Sequence, residues 1–149
     1  MFITKYSTEY SSIKYGFYSS IALILVFLIF RILGMTGVIW LRVVDVLVLY
    51  FFTGKVLEYY RDHHSHITYF ICLGLCLMTS VVAMVIFSVF MFLYTQFLSP
   101  DYMDYLRIHA PMGEHLNPYI ILATLIIEGV AIGFIISMIK VNALKDIED

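Results

Sequence analysis

Charged residues are scarce in this sequence of 149 residues. Lysine and arginine total 9 and aspartate and glutamate total 11, so that only 13% of the residues are charged, whereas a soluble domain typically carries about 25%. Apolar residues make up 62%, and a chain this short cannot hide so much apolar surface in one water-soluble core. The composition therefore excludes a soluble enzyme and a disordered chain, and it predicts an integral membrane protein in contact with the lipid bilayer.

Basic charge and cysteine are also lacking. The formal net charge is −2, so no basic excess indicates a nucleic-acid partner. The two cysteines, Cys72 and Cys76, lie in one apolar run, where a helix places them on a shared face and no disulfide framework can be built. Since thiols in apolar surroundings are unreactive, we interpret both as small packing residues.

Long, largely apolar runs are what the sequence has instead. A helix needs about 20 apolar residues to cross roughly 30 Å of hydrocarbon, and segments of this kind cover about 13–33, 38–57, 67–97 and 118–140. They are too long for barrel strands and lack the alternation of such strands. No small-x-small cleavage pattern follows the first run, so we expect it to stay as a helix rather than serve as a signal peptide. We predict an all-α, four-helix transmembrane bundle that forms a single domain.

Two polar segments connect these spans. The first covers 58–66, and the second covers 98–117 and is predicted to contain a short interfacial helix. We expect that helix to turn Tyr102, Tyr105 and Leu106 towards lipid.

Lysine and arginine are unevenly divided between the two sides of the membrane. With four spans, both termini and the loop 58–66 share one side, and the loop 98–117 lies on the other. The first side holds Lys5, Lys14, Lys55, Arg61, Lys140 and Lys145, and the second holds Arg31, Arg42 and Arg107. This imbalance predicts cytoplasmic termini.

Four charged residues fall in or at the margin of hydrocarbon in the outer half: Arg31, Arg42, Asp45 and Glu128. At 1.5 Å per residue, Arg42 is about 7 Å deep, Asp45 about 12 Å and Glu128 about 15 Å. We expect the four to meet in one intramembrane polar cluster, although Arg42 and Asp45 can also pair within their own helix. Glu128 then either handles protons or ions or, as we favour, belongs to a polar staple that holds the helices together.

Small residues recur every three to four positions on two of the spans. They are Cys72, Cys76, Ser80 and Ala83 on the third span, and Gly129, Gly133 and Ser137 on the fourth. Small residues let helix backbones approach closely in lipid. We predict that these faces pack together, with Ser137 level with Cys72 and Gly129 near Ser80. Contact of Gly129 and Gly133 with a second subunit is the alternative.

Histidines cluster in the middle loop, at His63, His64 and His66. Three imidazoles can bind zinc, copper or nickel, but adjacent histidines do not close a tetrahedral site and no further ligand completes a known spacing. We therefore interpret the segment as a wet interfacial loop, and we expect no metal and no cofactor. No histidine lies inside a span, which argues against a bis-histidine haem.

Several stretches, taken in order, resemble a known family. Lys14-Tyr15-Gly16 enters the first span, Tyr60-Arg61-Asp62 leads into Ile67-Thr68-Tyr69-Phe70, and Phe97-Leu98-Ser99-Pro100-Asp101-Tyr102 leaves the third span. This order resembles a family of small four-helix bacterial inner-membrane proteins, common in Bacteroidota and described only as a domain of unknown function. The glycine pair usual in its middle loop is replaced here by histidines. The resemblance implies the topology and no catalytic residue.

No catalytic constellation accompanies the spans: the sequence has no Walker loop and no zinc-protease motif. We therefore predict a non-enzymatic protein, an accessory or assembly subunit that binds other membrane subunits or copies of itself. The alternative is a small proton- or ion-coupled transporter that uses Glu128 with Arg42 and Asp45. An enzyme acting on lipid or quinone would need polar groups at the headgroup level, which only the segment 63–66 supplies.

Overall fold

The computed structural model describes residues 8–34, 38–63, 68–109 and 113–145. Over these residues the chain is all-helical and contains no strand, which confirms the predicted class. The five α-helices are α1 (Thr8–Ile32), α2 (Val38–His63), α3 (Tyr69–Leu93), α4 (Pro100–His109) and α5 (Pro118–Lys145). A π-helical turn, Tyr94–Leu98, joins α3 to α4, and a 3-10 turn, Gly113–His115, precedes α5.

Three of the helices are long and apolar enough to cross a membrane. The segments concerned are Tyr10–Ile32 in α1, Tyr69–Leu98 in α3 with its π-helical turn, and Pro118–Ala143 in α5. Three such helices indicate a membrane protein. The second helix is not among them, since it carries Arg42, Asp45 and Lys55.

The helices also extend beyond the predicted spans. The second helix continues to His63, so that 58–63 of the predicted middle loop are helical. Its last turns are polar, and Lys55 and Glu58 form an i,i+3 ion pair of 3.1 Å there. Such pairs stabilise a helix in water, which explains why α2 does not end with its apolar residues.

Short sequence signals set the helix ends. After α1 ends at Ile32, Gly34 adopts φ 70°, a left-handed conformation that glycine adopts without a steric penalty. Before α5, the Asn117 side chain accepts a hydrogen bond of 2.8 Å from the Ile120 amide, and Pro118 occupies the first helical position, where its missing N–H costs nothing.

The third helix lies at the centre of the fold. It packs against α5 most extensively, against α1 next and also against α2, whereas α2 and α5 touch each other only narrowly. Its buried side chains recur at three- and four-residue intervals and form one broad face towards these neighbours. On the other side of the helix, Met78, Val85 and Val89 are exposed although they are apolar, as expected for a helix in contact with lipid.

Glycines set the closest approaches between helices. A Cβ added at Gly133 would lie 2.5 Å from the Cβ of Ser80, and one added at Gly129 would collide with Met84. We expected Gly129 near Ser80, and this register was wrong by one helical turn.

The first helix has a small-residue face that the sequence analysis did not single out. Four serines are fully buried, at positions 11, 12, 19 and 20, and a Cβ added at Gly16 would lie 2.8 Å from the Cβ of Val82. These small residues let the backbone of α1 approach α3 closely, as the glycines of α5 do on another side of α3. Their recurrence at about four-residue intervals was the signal that could have revealed this face.

The short helix α4 presents the opposite face from the one predicted. Tyr102 is 2% exposed and Leu106 is 9% exposed, so both face the bundle and not lipid. Tyr102 packs edge-on against Phe27 with ring centroids 5.4 Å apart, and Met103 is buried beside it. The expected orientation is therefore wrong, because an aromatic cluster at the end of α1 and α3 takes up this face.

Candidate functional site

An ion pair joins the second helix to the fifth. Arg42 Nη1 lies 3.3 Å from Glu128 Oε1, and the two side chains are 54% and 24% exposed. The pair lies about ten residues into α5, or roughly 15 Å along its axis. At this depth the ion pair lies beside the apolar part of α5. An ionised group in such surroundings needs a partner of opposite charge.

Asp45 lies beside this pair without joining it. Its carboxylate is half-buried and within electrostatic range of both Glu128 and Arg42. Among the described residues Asp45 has no ion pair within 4.0 Å, and Arg42 pairs across the α2–α5 gap and not with this i+3 neighbour. The arginine side chain is long enough to reach a carboxylate on the other helix.

Arg31, the fourth charge of the predicted cluster, is held by a different set of groups. Its Nε donates a hydrogen bond of 3.2 Å to the Tyr94 hydroxyl, and its Nη2 donates one of 3.3 Å to the Ser99 hydroxyl. The guanidinium also stacks over the Tyr102 ring, with 4.7 Å from Cζ to the ring centroid. We call Arg31, Tyr94, Ser99 and Tyr102 the Arg31 cage. Of the predicted cluster, the structure thus brings Arg42, Glu128 and Asp45 together and places Arg31 apart.

Tyr102 lies within electrostatic range of Arg31 and of Asp45. Burial raises the pKa of its phenol to about 12, opposed by the positive charge of Arg31 and supported by nearby tyrosines and by Asp45. A phenol of this kind stays protonated at neutral pH and acts as a hydrogen-bond donor.

Three members of the cage were not identified from the sequence. Tyr94 and Ser99 lie more than 60 residues from Arg31 along the chain, and nothing local indicates their contact with it. The π-helical turn over Tyr94–Leu98 is what brings the two hydroxyls to the same side. Such turns are frequent at functional sites.

A second cation bridges α5 and α2 near the other end of the bundle. Lys140 Nζ lies 3.7 Å from the centroid of the Tyr50 ring, which is a close cation–π contact. A Cβ added at Gly54 would lie 2.8 Å from the same Nζ. Long side chains therefore span the gap between α2 and α5 at both ends, where the helix backbones themselves make few contacts.

Within the small-residue set, Ser80 and Gly133 lie against each other at the α3–α5 interface, whereas Cys72 and Cys76 belong to a core cluster that also contains Val56 of α2. Cys72, Cys76, Ser80, Ala83 and Ser137 are all buried, and the cysteines are free thiols. The Ser137 hydroxyl donates to the Gly133 carbonyl at 2.5 Å. Because Gly133 lies against Ser80 and the two helices are antiparallel, Ser137 lies level with Cys76. The predicted level with Cys72 is therefore wrong by one helical turn.

The histidine candidates are described only in part. His63 ends α2 and its ring packs at a tilt against that of Tyr59, with ring centroids 4.6 Å apart, and its Nδ1 lies 2.8 Å from the Tyr59 carbonyl oxygen. His64 and His66 lie outside the described residues. Across the described ranges, no group of three or more His, Cys, Asp or Glu side chains is placed to hold a metal ion.

The arrangement contains charge pairs, hydroxyl donors and one neutral phenol. These groups can bind an anion, hold helices together or exchange protons.

Comparisons with protein-family models, with curated protein sequences and with solved structures found no match to this chain.

Proposed function

We propose that this chain is a non-enzymatic, four-span protein of the bacterial inner membrane that works as a subunit, bound to other membrane proteins or to copies of itself. In this proposal α2 is the fourth span, both termini are cytoplasmic and α4 lies in the outer interface. The packing of α2 against α1 and α3 supports its insertion beside them. The Arg42–Glu128 pair lowers the cost of its charges in lipid.

The observation that carries this proposal is the exposure of that ion pair. The Arg42 side chain is 54% exposed although it lies level with apolar parts of α5. On the same two helices, Leu47 and Ile127 are 61% and 70% exposed. In an isolated chain this face would present an ion pair to hydrocarbon, whereas a docked helix would cover it. We call the surface formed by Arg42, Leu47, Ile127 and Glu128 the α2–α5 face.

Photo-crosslinking in native membranes tests the subunit proposal. A crosslinking side chain at position 47 or 127 is expected to give a discrete protein adduct, because both positions lie on the α2–α5 face. Positions 25 and 29 on α1 are the matched controls, since Leu25 and Ile29 are each 54% exposed but lie away from that face. Lipid adducts alone at all four positions would contradict the proposal.

The mass of the adduct separates the two kinds of partner. One chain has a mass of 17.3 kDa, so a homo-oligomer gives an adduct of twice that value and another subunit gives a different mass.

A reporter fused after Asp149 tests the orientation separately. Activity only for a reporter that works outside the cytoplasm would contradict cytoplasmic termini.

A transporter is the second candidate, and Asp45 is the observation that favours it. Two carboxylates, Asp45 and Glu128, lie in electrostatic range of one guanidinium, Arg42. Inside hydrocarbon the surplus negative charge must be neutralised by a proton or another cation. Purified protein in proteoliposomes would then show proton-coupled flux that Glu128→Gln abolishes. Glu58→Gln, which removes an exposed carboxylate paired with Lys55, is the control that should keep it.

A further inference from the structure

The Arg31 cage holds a cation without a counter-ion. Among the described residues the ion pairs are Arg42–Glu128, Lys55–Glu58 and Arg107–Asp104, and no carboxylate lies within 4.0 Å of Arg31. The groups that do touch its guanidinium are two hydroxyls and an aromatic ring. None of these cancels a full positive charge, and a guanidinium has further N–H donors beyond the two in use.

The two hydroxyls are also poised to donate. Tyr94 and Ser99 accept hydrogen bonds from Arg31 through their oxygens, which leaves each hydroxyl hydrogen available. The structure gives neither hydroxyl an acceptor among the described residues. An oxyanion that approaches Arg31 would therefore meet guanidinium N–H groups and two O–H donors together. Phosphate matches this set, because its oxygens accept several charge-assisted hydrogen bonds at once.

The position of the cage indicates where such an anion comes from. Arg31 lies in the last turn of α1 and directly follows the apolar run 15–30, so in the proposed topology it is level with the lipid headgroups. Its side chain is half-buried and thus reachable. Large apolar side chains on both flanks point outwards, with Ile32 84%, Leu33 65%, Phe97 68% and Leu98 72% exposed.

We propose that the Arg31 cage binds the phosphate of an anionic phospholipid in the outer leaflet. Arg31 supplies the charge, Tyr94 and Ser99 donate to phosphate oxygens, and Tyr102 holds the guanidinium flat through its ring. The exposed apolar residues on both sides contact the acyl chains, which favours a lipid over a free phosphate ion. This inference rests on the membrane topology proposed above but not on any partner at the α2–α5 face.

Native mass spectrometry of the detergent-solubilised chain, titrated with phosphatidylglycerol, tests the proposal. Arg31→Gln is expected to weaken lipid binding by about tenfold, as loss of a charge-assisted phosphate contact would. Arg107→Gln is the matched control, because Arg107 lies at the same end of the bundle and is exposed and paired with Asp104. Equal binding by wild type and Arg31→Gln, or an equal loss in both variants, would overturn the proposal.

Two further arms separate a specific cage from alternatives. Ser99→Ala and Tyr94→Phe keep the arginine but remove a donor each, and each is expected to weaken binding by a few fold. Inorganic phosphate that displaces the lipid at similar concentration would show that the ligand is free phosphate and would overturn the lipid assignment. Membrane extraction of each variant is measured in parallel, so that failure of insertion is distinguished from failure of lipid binding.

Discussion

Arg42 of α2 and Glu128 of α5 form an ion pair of 3.3 Å between two helices that make few other contacts with each other. The two helices have little backbone contact there, so the side chains themselves make the link. On the surface of a soluble protein such a pair contributes about 0–1 kcal/mol, because water screens it. In hydrocarbon the same exposure removes the screening, and an unpaired partner becomes costly.

A double-mutant cycle on this pair tests that argument. We expect Arg42→Gln and Glu128→Gln each to lower the free energy of unfolding in lipid, because each breaks the ion pair between the two helices. The double variant should be less unstable than the sum of the two, with a coupling energy of about 1–3 kcal/mol. Unfolding in lipid nanodiscs measures it. Strict additivity of the two single effects would mean that the ion pair does not link the helices.

Substitution of Gly133 tests the close packing of α3 and α5. Gly133→Ala is expected to destabilise the fold by about 1–3 kcal/mol, because the new Cβ would lie 2.5 Å from the Cβ of Ser80. Gly74→Ala is the matched control, since a Cβ there meets nothing within 4 Å. Alanine has a higher helix propensity than glycine, so helix propensity does not account for a loss of stability in Gly133→Ala. Thermal unfolding in detergent should separate the two variants, and identical melting temperatures would refute the packing.

The buried face of α4 is tested by a pair of aliphatic substitutions. Leu106 is 9% exposed and Ile108 is 78% exposed. Leu106→Ala should cost about 2–5 kcal/mol because it leaves a cavity, whereas Ile108→Ala should change stability by less than about 0.5 kcal/mol. Chemical unfolding followed by far-ultraviolet circular dichroism measures both. A larger effect at Ile108 would restore the lipid-facing orientation that the sequence predicted.

The Tyr102 phenol gives the fold a pH dependence at alkaline pH. Its pKa is about 12 in the fold against an ordinary value of 10.0, because burial disfavours the phenolate. Above pH 10 the unfolded chain binds fewer protons than the folded one, so the free energy of unfolding falls as pH rises towards 12.

A comparison of variants isolates this effect. Tyr102→Phe has no phenol at this position, so between pH 10 and 12 its stability should fall less than that of the wild type. Tyr119→Phe, at a tyrosine that is 67% exposed, is the control. Stability curves of wild type and Tyr102→Phe that run parallel through this pH range would show that the Tyr102 phenol is not protected.

The hydropathy of the chain was enough to predict its helical class and three of its long helices. The run 118–140 is apolar apart from Glu128 and the terminal Lys140, and inside lipid a helix satisfies the backbone hydrogen bonds of such a run. The resemblance to a Bacteroidota family stays a prediction. Within the candidate site, the sequence placed Arg42, Asp45 and Glu128 at similar depths, because depth follows from counting residues along a helix.

Other features depended on information that no local pattern contains. The partner of Arg42 depended on how α2 and α5 are rotated about their axes, and the register of Gly133 against Ser80 depended on the length of the connection between α3 and α5. The orientation of α4 was mispredicted because its aromatic residues suit an interface as well as a core. Only the surroundings of Tyr102, with Phe27 beside it, distinguish the two.

What the sequence determined by itself is therefore the list of apolar helices and the depth of each charge, both of which follow from composition and rise per residue. The tertiary structure decided which side chains meet. It joined Arg42 to Glu128, and through the π-helical turn it gathered Tyr94 and Ser99 around Arg31. The physical reason is that hydropathy is a property of each segment, whereas a contact depends on the rotation and register of two helices at once.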